Sequence, residues 1–151
     1  MRFESRVTVD RPIEEVWALL TDPFNIPRFG RSMLGLRKTS PSPTGVGAVW
    51  QGRMNFLGSE RHVTGVVTEW DPPRAATWSG TAAGMGSGSI RQTLDVAADG
   101  TKVVRAIEVE PEGIFKLTWP ILAISLRRVI RGDPERIKRF IESGRAGGLE
   151  D

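Results

Sequence analysis

The sequence predicts an α+β fold in which a strongly curved antiparallel sheet of seven strands wraps around one long C-terminal helix. Three observations carry this expectation. Most of the chain up to about residue 110 alternates apolar and polar side chains in short runs separated by turn residues, the pattern of hairpin-connected strands. Toward the C-terminus, Leu122, Leu126, Val129, Ile137 and Phe140 recur at steps of three, four and their sums, the helical period. The start of that segment, Trp119-Pro-Ile-Leu-Ala-Ile-Ser-Leu126, is apolar nearly all round, so a helix there needs cover on most sides.

Each element can be justified in order. From Arg2 to Asp10 the residues Phe3, Ser5, Val7 and Val9 alternate with Arg2, Glu4, Arg6, Thr8 and Asp10, a half-buried strand. A helix follows to Leu20, with Asp10 or Arg11 as its cap, Pro12 in its first turn, and Glu14 and Glu15 suited to its dipole. Its face is Ile13, Val16, Trp17 and Leu20. Thr21-Asp22-Pro23 opens a second short helix that ends near Pro27. Strands are then expected at about residues 34–39, 48–56, 61–70, 75–80, 90–96 and 102–109. Their connections are the loop 40–45 and the turns Leu57-Gly58, Asp71–Arg74, the glycine-rich and mobile 81–88, and Ala97–Gly100.

The C-terminal rod divides on inspection. Pro120 belongs in a first turn, so regular helix should begin near Thr118. Gly132-Asp133-Pro134 repeats that chemistry in mid-rod, where Asp133 could cap and Pro134 restart a helix, predicting a kink or break. Gly144 should end it. Residues 1–144 are thus expected as one domain and 145–151 as a short tail.

With 151 residues the chain can bury a real core, and 39% hydrophobic with 26% charged residues is ordinary globular composition. There is no cysteine, one histidine and no tyrosine, which excludes thiol chemistry and disulfides; no metal site and no cofactor is expected. Met1-Arg2-Phe3-Glu4 runs straight into strand alternation without a leader pattern, so the expected location is cytoplasmic. Net charge is +3, and much of the positive charge lies on the last helix. That face is a solvated surface or a contact for an anionic membrane or a protein partner. No aromatic-basic nucleic-acid motif accompanies it.

Several stretches resemble a known family. Val9-Asp-Arg-Pro-Ile-Glu-Glu-Val-Trp-Ala-Leu-Leu-Thr-Asp-Pro23 is similar to the N-terminal signature of the START / birch-pollen-allergen superfamily (SRPBCC, polyketide cyclase/dehydrase). Val66-Val-Thr-Glu-Trp-Asp-Pro-Pro-Arg74 resembles its hairpin between the fourth and fifth strands, and Asp99-Gly-Thr-Lys-Val103 its last turn. The resemblance covers nearly the whole chain. It implies the helix-grip fold, with a cavity for an apolar ligand between sheet and long helix.

Strand parity locates candidate cavity residues independently of that resemblance. If each hairpin turn holds an even number of residues, paired positions sum to an odd number and share a face. The inner set then includes Trp50, Met54, Arg61, Val63, Val67, Ala76 and Trp78. It continues with Ile90, Gln92, Leu94 and Val96 opposite Thr101, Val103, Arg105, Ile107 and Val109. Phe56, Trp119, Leu122 and Leu126 complete the candidate lining. Gln92 and Arg105 fall opposite one another on an apolar face, where a guanidinium must be paired. Either an internal carboxylate such as Glu69 meets Arg105, or a ligand's anionic or carbonyl end does. Arg61 should sit at the mouth, its head in water. Trp50, Trp78 and Trp119 could form an aromatic wall or belong to the core. His62 falls on the outer face in this register; His62 and Glu69 are the candidate acid–base residues, and no catalytic set emerges. Gly84, Gly86 and Gly88 lack the Lys-Ser/Thr of a phosphate loop.

The expected function is binding or transport of a hydrophobic small molecule, lipid-, polyketide- or quinone-like. The alternatives are a cyclase or dehydratase and an interaction module built on the basic helix.

Overall fold

The computed structural model describes residues 2–22, 25, 28, 33–38, 45–56 and 58–150. Among these, seven strands form one antiparallel sheet: β1 (Arg2–Val9), β2 (Met33–Lys38), β3 (Val49–Phe56), β4 (Ser59–Asp71), β5 (Ala75–Ala82), β6 (Gly86–Ala97) and β7 (Gly100–Pro111). Their spatial order is β1-β7-β6-β5-β4-β3-β2. Helix α1 (Ile13–Leu20) follows β1, and a one-turn helix α2 (Ile114–Leu117) precedes the long α3 (Trp119–Glu150). This is the helix-grip architecture. The second short helix expected after Thr21 and the loop 40–45 lie largely outside the described residues.

The register follows strand parity. Trp50 pairs with Gly65 and Met54 with Arg61, while Ile90 pairs with Ile107, Gln92 with Arg105 and Leu94 with Val103. One hairpin reaches the same result by another route. Asp71 pairs with Ala75, leaving three residues in the turn, and a register shift between Val67 and Glu69 restores parity, so Val67 still faces beside Trp78. An odd turn and a bulge cancel.

The glycine-rich 81–88 segment is not a long loop. Ala82 pairs with Gly86 and Gly80 with Gly88, so the two strands continue nearly to their turn. Glycine is required there for closeness: a Cβ on Gly86 would lie 2.1 Å from the Glu110 carbonyl oxygen, and one on Gly88 2.7 Å from that of Glu108. The glycines serve strand approach, which reads in sequence as looseness.

Helix α1 buries Val16, Trp17 and Leu20 as its periodicity requires, but neither Asp10 nor Arg11 caps it. Pro12 holds the N-cap position, and no side-chain cap bond forms. Arg11 instead reaches across, its Nη2 donating to the Glu142 carbonyl at 2.6 Å. That bond ties the start of α1 to the far end of α3.

The expected break at Pro134 is absent, as is the stop at Gly144: α3 runs from Trp119 to Glu150 with Pro134 inside it. Asp133 caps nothing, because its carboxylate is turned inward and 7% exposed. Arg136 bridges the proline turn, its Nη2 donating to the Val129 carbonyl at 2.8 Å and to Asp133. Cover of the apolar first half is also one-sided. Leu122 and Ala123 are buried, whereas Ile121 and Ile124 are 72% and 55% exposed.

Among the described residues the core has two parts. In the first, Ile137 and Ile141 of α3 pack with Val16, Trp17 and Leu20 of α1 and with Val9, Ala76, Leu94 and Val103 of the sheet. In the second, Ala123 and Ile130 of α3 pack with Phe3, and Ile107, Val109, Trp119 and Leu126 border them. Trp17 and Trp70 meet edge to face at 5.1 Å between ring centroids, fixing α1 on the sheet.

Candidate functional site

The concave face of the sheet changes character along its strands. Beneath α1 it is sealed: Ala76, Thr101, Val103 and Leu94 are at most 1% exposed. Farther from α1, the inward positions Trp78, Ile90 and Ile107 on these strands and Met54 and Val63 on β3 and β4 are half-buried. Inward-facing apolar residues that still contact solvent mark accessible space on the concave side among the described residues.

The floor of that space is bare. Gly65, Gly80 and Gly88 pair with one another across β4, β5 and β6, and parity with Val67, Trp78 and Ile90 turns all three positions inward. A Cβ on Gly80 would come within 2.4 Å of the Thr64 carbonyl oxygen. Sheet curvature therefore demands glycine here, and the same glycines leave a strip without side chains.

One polar group of residues interrupts the apolar lining. Arg105 on β7 and Gln92 on β6 are cross-strand partners, 9% and 1% exposed. The carboxylate facing Arg105 is Asp133 of α3, with Nη1 and Oδ2 3.9 Å apart. Burial lowers the Arg105 pKa, and the facing Asp133 offsets only part of that. The amide nitrogen of Gln92 is buried with no hydrogen-bond partner among the described residues. A buried donor without a partner costs about 1–3 kcal/mol. It is a built-in demand for an acceptor.

The remaining candidates sort clearly. Trp50 and Val67 are buried at 7% and 2% yet belong to neither core cluster. Trp78 packs against the first cluster, and Trp119 and Leu126 against the second, so these tryptophans are divided between two packing groups. Leu122 and Leu94 are core residues, and the Phe56 side chain lies outside the described residues. Arg61 sits at the rim, its guanidinium 5.4 Å from the Phe115 ring centroid and Nη1 donating to the Ala83 carbonyl.

Glu69 is not the partner of Arg105. It accepts from Arg91 Nε at 2.9 Å and from Thr77 Oγ1 at 2.7 Å on the convex face. These bonds, that of Arg91 first, hold its carboxyl below the usual range. The bulge before Glu69 sends it outward. His62 is exposed opposite Arg53, as parity requires. Sequence reasoning missed Asp133 as an inward group, although a signal existed: 133 stands three after Ile130 and four before Ile137, on the buried stripe. Among the described residues no cluster of histidine, aspartate and glutamate is placed to hold a metal ion.

A curved seven-stranded sheet around a long C-terminal helix, with half-buried apolar residues on its concave face, defines the helix-grip class of fold. The family model described as polyketide cyclase / dehydrase and lipid transport matches residues 1–142, and the chain belongs to that family. No curated protein sequence matches it. Among solved structures it is similar to the Zhui aromatase/cyclase from Streptomyces sp. R1128 (TM-score 0.78, 16% identity, 94% of this chain and 93% of that one). It is similar to Ara h 8.0201 (TM-score 0.69, 14% identity, 95% and 98% covered). It also matches the di-domain ARO/CYC StfQ from the steffimycin biosynthetic pathway (TM-score 0.73, 13% identity, 97% and 51% covered). At these identities the likeness is one of fold.

Proposed function

We propose that the protein binds a hydrophobic small molecule that carries a carbonyl or carboxylate group, lodged between the concave face and α3. The observation that carries this reading is the buried Gln92 amide, lacking an acceptor, beside Arg105 in an otherwise apolar recess with a glycine floor. Gln92 and Arg105 would receive the oxygen of the ligand. Met54, Val63, Trp78, Ile90 and Ile107 would surround its apolar body. Asp133 would orient the guanidinium.

A binding role fits better than catalysis. Proton transfer needs a positioned acid or base. The carboxylate beside Arg105 is Asp133, and it is already engaged by Arg105 and Arg136. Its position supports a charge-orienting role.

The test is native mass spectrometry of freshly purified protein, followed by titration with matched acidic and neutral ligands from a fatty acid, quinone and polyketide-like panel. Arg105→Leu should weaken acidic ligands about tenfold more than neutral ones, since a hydrogen bond to a charged group contributes about 1.5–3 kcal/mol. Equal losses for both would remove Arg105 from the site. An apo mass with no uptake across the panel would overturn the binding role.

A further inference from the structure

The start of the helical region carries an apolar stripe that the fold does not use. Ile114, Leu117, Ile121 and Ile124 are 69%, 84%, 72% and 55% exposed. Their spacing of three, four and three places them on one helical face. The chain passes from α2 to α3 through the single residue Thr118 (φ −91°, ψ 2°), and Ile121 and Leu122 both donate to the Thr118 carbonyl, so the two helices follow one another without a loop. The same spacing then reaches Arg128 and Arg131, both exposed, and exposed Lys116 and Arg127 lie nearby. From Ile114 to Gly132 there is no acidic residue. A water-exposed helix face of aliphatic side chains, with exposed cations and no carboxylate between residues 114 and 132, has no role in the core.

We infer that this face docks on an anionic lipid bilayer, with Ile114, Leu117, Ile121 and Ile124 entering the acyl boundary. The arginines at 127, 128 and 131 and Lys116 would meet the lipid headgroups. Charge complementarity selects this occupant: cations without a single interspersed carboxylate match a uniformly negative surface. The face is also a convex ridge of aliphatic side chains without an exposed aromatic anchor. Such a ridge suits the interfacial zone of a bilayer better than the pocketed, aromatic-rich patch of a protein interface.

Its position adds a consequence. Phe115 of α2 lies under the Arg61 guanidinium at the rim of the recess, and the Glu112 amide donates to the Met85 carbonyl in the β5–β6 turn. Docking through this ridge brings the open end of the concave face to the membrane. The docking itself depends only on the exposed ridge and not on what the recess holds.

Flotation with vesicles of neutral phosphatidylcholine, alone or with about 30% phosphatidylglycerol, at near-physiological salt tests the proposal. The wild-type chain should float with the anionic vesicles and much less with the neutral ones. Leu117→Glu with Ile121→Glu should reduce anionic binding at least about tenfold, because both the apolar contacts and the charge match are lost. Arg128→Gln with Arg131→Gln should weaken binding and flatten its salt dependence. All four side chains are exposed, so circular dichroism and melting should stay at wild-type values. Failure of wild-type protein to float with anionic vesicles would overturn the proposal. So would undiminished binding by the Leu117/Ile121 variant. A concentration-dependent dimer that the same variant dissolves, without vesicle binding, would assign the ridge to a second copy of the chain instead.

Discussion

Arg105 and Asp133 show how differently two halves of one buried contact behave. Asp133 is engaged by Arg105 and by Arg136. Asp133→Ala leaves the Arg105 guanidinium buried without its facing carboxylate, at a cost of about 3 kcal/mol, measurable as a loss of stability in urea denaturation. Arg105→Leu removes the buried cation and leaves Asp133 with Arg136, so its unfolding free energy should stay within about 1 kcal/mol of wild type. Gly80→Ala is a third residue-scale case: its Cβ would lie 2.4 Å from the backbone oxygen of Thr64, so β4 and β5 must part. A loss of about 1–3 kcal/mol is expected in the same assay. Glu69 behaves oppositely to a buried acid. Its carboxyl is held below the usual range in the folded chain, so its bond to Arg91 contributes above the unfolded-state value and fades as pH falls through the folded one. Glu69→Gln should therefore flatten the acid limb of the stability profile slightly, since both groups are largely exposed, and leave ligand uptake unchanged.

At the scale of elements, strand parity made most of the sheet legible. The polar-apolar alternation of β6 and β7 placed Gln92 opposite Arg105 because a two-residue shift is invisible to the face and a one-residue slip would bury charge. The Asp71 turn was read with an even count and in fact holds three residues; only the compensating bulge kept Trp78 inward. Bulges of this kind leave no mark in alternation unless both faces differ strongly, and here Thr68 and Glu69 are both polar. The helix break at Pro134 was misread for a related reason. Sequence shows the missing amide of proline but not the Arg136 side chain that binds the preceding turn. Helix α1 gives a prediction at this scale. Trp17 is part of the core and meets Trp70 edge to face. Trp17→Ala should cost about 3–5 kcal/mol in urea denaturation and reduce the near-ultraviolet dichroism of the packed indoles.

For the molecule as a whole, periodicity and turn chemistry specified the sheet and the terminal helix, while the site lay in relations between them. Which carboxylate faces Arg105 depends on how α3 lies across the sheet, and nothing in one strand's pattern reports that. Exposure of Ile121 and Ile124 was equally hidden, because an apolar run reads the same whether its outer side meets protein, lipid or water. No helix among the described residues is long and apolar enough to cross a membrane.

The glycine strip also sets how this fold could change its cargo. Gly80 and Gly88 are locked by neighbouring carbonyls at 2.4 and 2.7 Å, but a Cβ on Gly65 would meet only the Ser79 oxygen at 3.8 Å. The curvature of the sheet thus forbids decoration at two positions and tolerates it at the third. On the proposed function, Gly65 is the position in this strip where a side chain could shorten the ligand space without moving the strands. Gly65→Val should keep the melting temperature while shortening the longest ligand taken up, as read by native mass spectrometry across a chain-length series. Size selectivity in this protein would then rest on one position that carries no side chain at all.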